Sequence, residues 1–215
     1  KQEYRSFSDL TIADVLRSCG AATGMGYGLY GLDGLIETPY IQQENESAAA
    51  FLRRMLEWEG ATLKCVNGKY AAIGIEYAQG RASHQNILLT GDRKGAIYRR
   101  NGMLWRSVTV KSPWGEATAW DSRAAENGPR VTLNLPARNN LQAGRWARGS
   151  LLKHNRETET LILETTFNAG FSAMTHIRIH GGTDADGDWL IEEVEHDIKN
   201  ENSKATMHRC VTTIR

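Results

Sequence analysis

Four histidines and a dense run of carboxylates fall between His176 and Val211, in "HIRIHGGTDADGDWLIEEVEHDIKNENSKATMHRCV". These are the residue types from which metal centres and acid–base pairs are built. Asp184, Asp186, Asp188 and Glu195 match positions 1, 3, 5 and 12 of a calcium-hand loop, but position 6, where the turn requires Gly, is Trp189. The flanks "HIRIH" and "WLIEEVEH" alternate like strands, so a polar turn between two strands accounts for the same residues. His176 and His180 would share an ion on a helix face. Thr175, Ile177 and Ile179 are β-branched at period two, however, and favour a strand. There the two histidines stand about 13 Å apart, with Arg178 between them on the same face to repel a cation.

His196 is the remaining candidate. In "DWLIEEVEHDI", Trp189 and Ile191 share one strand face, whereas Val194, His196 and Ile198 share the other. A one-residue bulge near Glu192-Glu193 returns all five to one side. His196 then reads as an inward or rim histidine bonded to a neighbour, with Glu193 or Glu195 solvated. No G-x-S-x-G occurs, and no cysteine opens a helix in electropositive surroundings. The residues supply no positive argument for catalysis, for a metal or for a cofactor. The chain reads as a non-enzyme, and the enzyme alternative is a metal hydrolase using His176, His180 or His196.

The whole composition agrees with that reading. The 215 residues are enough for one large domain or two small ones. With 26 basic and 25 acidic residues the net charge is +1, so the basic excess that phosphate neutralisation demands is missing. Cys19, Cys65 and Cys210 are odd in number and widely spaced, like small buried hydrophobes in a reducing compartment. No apolar run approaches the ~20 residues needed to cross a bilayer, so no membrane insertion is expected. The start, "KQEYRSFSDL", has no hydrophobic signal region and no initiator Met, which reads as a segment of something longer.

The elements that must position these residues divide near residue 80. Residues 1–80 read as a small α+β domain of two helices and a hairpin. Thr11 caps the first helix with Asp14 three later, and Gly20 is its expected stop. Ser47 or Asn45 caps the second, whose stripe is Ala48, Phe51, Leu52, Met55 and Leu56 and whose end is Gly60. Asn67-Gly68 then turns a β-hairpin. The glycine-rich "GMGYGLYGLDGLIETPY" between the helices is not a phosphate-binding loop, because it follows a helix and no Lys-Ser/Thr comes after it. Residues 81–215 read as β-rich, with strands expected at 86–90, 96–99, 105–111, 116–121, 130–135, 159–167, 173–180, 188–198 and 204–214. One helix, capped by Asn139 or Asn140, interrupts them; its Gly144 and Gly149 leave it dependent on tertiary packing. Short strands with turns between them suggest a barrel or sandwich, so the fold class is α+β and β-rich.

Several of these segments together resemble the phage late control D family of contractile-tail baseplate hub proteins. "GDWLIEEVEHDI" and the Thr-bearing "KATMHRCVTTI" are similar to its closing hairpin, with Trp189, Val194 and His196 at the signature positions. Upstream, "YIQQENESAAAFLRRMLEWEGATLKCVNGKYAAI" resembles its helix and hairpin, with Glu46, Ser47, Phe51, Leu52 and Gly60 at the matching places. "LTIADVLRSCGAATGM" resembles the helix before it. The likeness covers residues 8 to 214, departs from the family at "NAGFSAM", and lacks the family's leading barrel. It implies that 81–215 form a tail-tube-like β-barrel hub domain with one packed helix. It further implies a homotrimer in the virion tail baseplate, assembled in the host cytoplasm, that adapts the tail tube to the central spike. Its partners would be tail tube, baseplate and spike proteins, with transient DNA passage and no specific DNA binding. The base of a type VI secretion spike protein is the alternative, because those proteins share this base.

Overall fold

Thr11 closes a capping box: its hydroxyl accepts from the Asp14 N–H, and the Asp14 carboxylate accepts from the Thr11 N–H. In this computed structural model, which describes residues 2–38, 40–90 and 95–215, that box opens the first helix. The N-terminal region runs β1 (Glu3–Phe7), β2 (Leu10–Thr11), α1 (Ile12–Thr23), β3 (Gly26–Tyr30), β4 (Glu37–Thr38) and β5 (Ile41–Glu46). It continues through α2 (Ala48–Trp58), β6 (Ala61–Val66), β7 (Lys69–Gly74) and α3 (Ile75–Gly80). Helix α1 does not stop at Gly20. It continues to Thr23 and ends on Gly24 at φ 70°. Gly20 serves the return of the chain instead, since a Cβ there would stand 2.5 Å from the Met25 carbonyl oxygen.

Ser47 caps α2 by accepting from the Ala50 N–H at 3.2 Å. Phe51, Leu52, Met55 and Leu56 then bury one apolar stripe in a core shared with Val15 and Leu16 of α1. Asn67 and Gly68, at φ 49° and 68°, make the tight turn between β6 and β7. The glycine-rich segment holds a strand that the sequence did not announce. It is β3, paired in parallel with β7. Strands β1 and β5, equally unexpected, form an antiparallel pair of their own.

The rest of the chain is β-rich, as expected: β8 (Gln85–Leu88), β9 (Ala96–Arg100), β10 (Ser107–Ser112), β11 (Gly115–Trp120), β12 (Arg130–Asn134) and α4 (Asn140–Glu157), then β13 (Glu159–Thr166), β14 (His176–His180), β15 (Gly187–Asp197) and β16 (Asn202–Arg209). The strands form two sheets. One is three-stranded, ordered β11-β10-β12; the other is six-stranded, ordered β8-β14-β15-β16-β13-β9.

The six-stranded sheet has to curl. Leu89 donates to the His180 carbonyl beside one edge, and Gly95 accepts from Glu164 beside the other. Six extended residue steps reach about 20 Å, whereas the edges of a flat six-stranded sheet lie about 24 Å apart. Side chains from across the sheet accordingly meet on its concave face. Leu161, Leu163, Ile177, Ile179, Trp189, Ile191, Ala205 and Met207 are buried together there. The rings of Tyr98 (β9) and Trp189 (β15) lie edge to face at 6.1 Å between centroids, although their strands stand three positions apart in the sheet order.

Helix α4 covers the three-stranded sheet, with Trp146, Ala147 and Leu151 packed against Val108, Val110 and Ala119, and it meets Leu190 on the convex side of the curled sheet. Its contact with the end of α2 explains one of its glycines. A Cβ on Gly149 would stand 2.3 Å from the Trp58 carbonyl oxygen, while Gly60 takes φ 65° at the same crossing. Around this close approach the Trp58 and Trp146 rings lie 5.0 Å apart. The buried Glu59 carboxylate accepts from Arg145 Nε at 2.9 Å and from Trp146 Nε1 at 2.7 Å. The helix weakened by glycine is therefore held by the packing that one of those glycines permits.

Candidate functional site

The closing hairpin positions Trp189, Val194 and His196 through one local irregularity. Strands β15 and β16 pair antiparallel, with Ile191 opposite Met207 and Glu193 opposite Thr206, so Glu192 is the extra residue of a bulge. The bulge returns Val194 to the side of Trp189 and Ile191, where it packs against the concave core. Trp189 is fully buried, and its Nε1 donates to the Ala185 carbonyl at 2.8 Å. His196 lies past the rim of that core and is exposed. Its Nδ1 pairs with the buried Ser203 hydroxyl at 2.9 Å, and its ring sits 5.2 Å from that of Phe167. Ile198, expected on the same inward face, falls beyond β15 in the turn and is exposed, because the strand ends at Asp197.

The upstream residues singled out from sequence form a second, separate group. Ser47 caps α2, Glu46 pairs with Arg54 of the same helix, and Leu52 is buried in the helix core. Phe51 stacks on Phe7 at 5.2 Å, and Gly60 makes the α2–α4 crossing. These residues hold elements together; they do not converge with the hairpin on one cavity.

The charged cluster comes apart in the same way. His176 is buried on β14, with Nδ1 at 2.6 Å from the Arg81 carbonyl and Nε2 at 3.1 Å from Asp188. Arg178 makes two hydrogen bonds to the Asp188 carboxylate, at 2.7 and 2.9 Å. The bond from Arg178 is the largest influence holding the Asp188 carboxyl below its ordinary range, ahead of the opposing effect of burial. The Asp186 carboxylate accepts from the N–H groups of Gly182, Thr183 and Gly181, which keep its pKa low and close the β14–β15 turn. Among the described residues no three His, Cys, Asp or Glu side chains are grouped to hold a metal ion. Burial pushes the thiols of Cys19 and Cys210 up to about 11 and about 12, away from the reactive thiolate.

Two buried charge centres were not singled out from sequence. The first joins Glu159 and Arg209. Arg209 pairs with Glu159, donates to the carbonyls of Asp186 at 2.7 Å and Asp184 at 2.8 Å, and lies 4.6 Å from the Trp189 ring centroid. Gly187, at φ 136°, leaves room for that guanidinium, because a Cβ there would stand 2.5 Å from an Arg209 nitrogen. A signal existed. Glu159 continues the inward row of Leu161 and Leu163, and Arg209 continues that of Ala205 and Met207, so opposite charges extend two adjacent apolar rows.

The second centre is Asp121, fully buried at the end of β11. Burial raises the pKa of its carboxyl, but bonds from Arg123, Thr213 and Asn155 outweigh it and leave the pKa low. Thr213 donates at 2.7 Å and Asn155 at 2.8 Å, so this one carboxylate ties β11, α4 and the C-terminal residues together. Nothing in its local pattern distinguishes Asp121 from a loop aspartate.

No family model matches the sequence, and no curated protein matches it significantly. The fold does have counterparts among solved structures. The chain superposes on a tail protein from Neisseria meningitidis MC58 with a TM-score of 0.74 and 9% identity, over 97% of this chain and 69% of that one. It superposes on the 43 kDa tail protein of prophage MuSo2 from Shewanella oneidensis with a TM-score of 0.71 and 13% identity, over 95% of this chain and 66% of that one. A type VI secretion component from Escherichia coli, itself structurally similar to T4 bacteriophage tail proteins, gives 0.54 and 12% identity, over 99% of this chain and 52% of that one. The molecule thus has the α+β, β-rich fold seen in these tail and secretion proteins. It spans about two thirds of the length of the two tail proteins.

Proposed function

We propose that this chain is a structural component of a contractile-tail baseplate hub of the late control D type, from a phage or prophage. In this reading it works as a homotrimer that adapts the tail tube to the central spike and forms part of the channel for DNA. Residues 1–80 are its small α+β domain and 81–215 its barrel domain. Trp189, Val194, His196, Glu46, Ser47, Phe51, Leu52 and Gly60 act in it as structural residues, and no residue is assigned a catalytic role.

The observation that carries the reading is the shared fold with tail proteins over almost the whole of this chain. The residues around the hairpin support it, since His176, His196, Asp186 and Asp188 are each engaged in holding a turn or a strand. The near-neutral charge suits a conduit, because a strongly basic lumen would retain DNA. The base of a type VI secretion spike stands as the second reading, supported by the fold shared with a type VI secretion component. Light scattering and negative-stain microscopy of the full-length protein test the proposal. A trimeric ring with a central opening is expected. A monomer at high concentration with no ring removes the hub reading, and a hydrolytic activity abolished by His196→Ala replaces it with the enzyme.

A further inference from the structure

Strand β15 lies inside the six-stranded sheet, yet one of its edges is open along half its length. Strand β14 pairs with it only from Gly187 to Leu190, and the backbone of Met174 and Thr175 extends that cover to Ile191. Strand β16 follows the other edge as far as Asp197. Past Ile191, among the described residues, no backbone hydrogen bond is made on the β14 side. The residues flanking β16 show which groups are open, because bonding alternates along an antiparallel pair. Cys210 donates to Asp188 and Glu201 accepts from Phe167, so even positions of β16 face β15 and odd positions face β13. Glu193, Glu195 and Asp197 are therefore bonded to Thr206, Lys204 and Asn202. Val194 and His196 turn their N–H and C=O groups outward. Such an edge is a template for an extended strand.

We propose that β9 of a second copy of this chain adds to that edge of β15. The proposal rests on the homotrimer reading above and names its interface. Charge selects the strand. Val194 packs on the concave core, so Glu193 and Glu195 lie on the other face, exposed and, among the described residues, without an ion pair. Strand β9 ends the sheet on the opposite side and pairs only with β13. Gly95 accepts from Glu164 and Asn101 donates to Thr158, so Ala96, Tyr98 and Arg100 turn their backbone groups outward. Ala96 and Tyr98 pack on the concave core, which puts Ile97 and Arg99 on the same face as the two glutamates. Arg99 is exposed and, among the described residues, has no ion pair either. Arginines on other terminal strands are engaged: Arg5 of β1 pairs with Glu3, and Arg130 of β12 donates to the Glu126 carbonyl and lies over the Trp120 ring. Docked on β15, the five residues of β9 match Glu193 to Asp197, Arg99 meets Glu193 and Glu195, and the half-exposed Ile97 is covered. Pairing either edge with itself would set like charges against each other, which disfavours a two-fold dimer. The two edges also look in opposite directions along the sheet. The contact is thus head to tail, the kind that rotation closes into a ring.

The test is sedimentation of the whole chain from micromolar to millimolar concentration. Arg99→Glu and Glu193→Arg should each move the midpoint of trimer assembly to a concentration about tenfold higher or more. The two together should return it to within about threefold of the parent, which a merely structural role for either residue would not do. Both side chains are exposed, so the single variants should keep the parent melting temperature. Cross-linking gives an independent measure. Arg99→Cys with Glu193→Cys, in a Cys65→Ser background, should yield a covalent trimer on oxidation. Within one chain three strand spacings, about 14 Å, separate β9 from β15, beyond the ~7 Å limit of a disulfide. A trimer indifferent to both charge reversals overturns this interface and leaves the homotrimer standing. A parent that stays monomeric at millimolar concentration, with no cross-linked species, overturns both.

Discussion

Glu192, the extra residue of the β15 bulge, pairs its carboxylate with the Arg156 guanidinium, a side chain of α4 that is almost wholly buried. The irregularity in the strand thus has two effects. It restores the inward face for Val194, and it meets the one buried cation of α4 with a counter-charge. The Arg156 Nε finds no hydrogen-bond partner, so the guanidinium depends on Glu192 all the more.

Glu192→Ala should therefore destabilise the fold by about 1–3 kcal/mol, since it leaves a desolvated donor group unpaired. Glu192→Gln should lose less. Urea unfolding of the two variants measures the difference, and equal stability to the parent would show that water replaces the carboxylate.

Two glycines of α4 should respond in opposite directions. Gly149→Ala meets backbone at 2.3 Å and should cost about 3 kcal/mol or more, as overpacking against an immovable group does. At Gly144 the nearest atom to a new Cβ is the Ala117 methyl at 3.7 Å, so Gly144→Ala should stabilise by up to about 1 kcal/mol. Thermal denaturation of the pair checks the sign of each.

Stability should fall on mild acidification. Burial holds the His208 pKa below 6.5, with Arg156 adding to the effect, and burial does the same for His154, whose ring stacks on Trp105 at 3.6 Å. A depressed histidine is protonated more readily in the unfolded chain, so its stabilising contribution is present above pH 6.5 and is lost as pH falls toward the folded pKa. The low carboxyls of Asp121 and Asp188 add a further loss below about pH 4. Urea midpoints at pH 8, 6 and 5 should decrease in that order, and His208→Asn should flatten the first part of the curve.

Trp189 and His196, both on β15 of the closing hairpin, should differ sharply. Trp189→Ala should cost about 3–5 kcal/mol as a large cavity opens beneath the Arg209 guanidinium. His196→Ala removes an exposed ring and one hydrogen bond, and should cost about 1 kcal/mol. Chelator should leave the melting temperature of the parent unchanged; a fall restored by zinc or calcium would reveal a metal that the strand assignment has no place for.

The sequence by itself determined what rests on local periodicity and capping. Thr11 with Asp14, Ser47 with its apolar stripe, the Asn67-Gly68 turn and the parity shift at Glu192 are each legible within a dozen residues, because a cap, a turn or a bulge is decided by its neighbours. Strand β3 was hidden because its glycines carry no β-signal and its pairing with β7 lies about forty residues away. Gly20 misled for a related reason: the contact that requires it is made by the returning chain and not by the helix end. Only the tertiary structure decided that the strands divide between a six-stranded sheet and a three-stranded one, that Gly149 exists for Trp58, and that Asp121 is a buried anchor. It also decided that Tyr40 and Trp114, 74 positions apart, share a groove. These follow from which surfaces meet when the chain closes, and no local pattern encodes the far side of a contact.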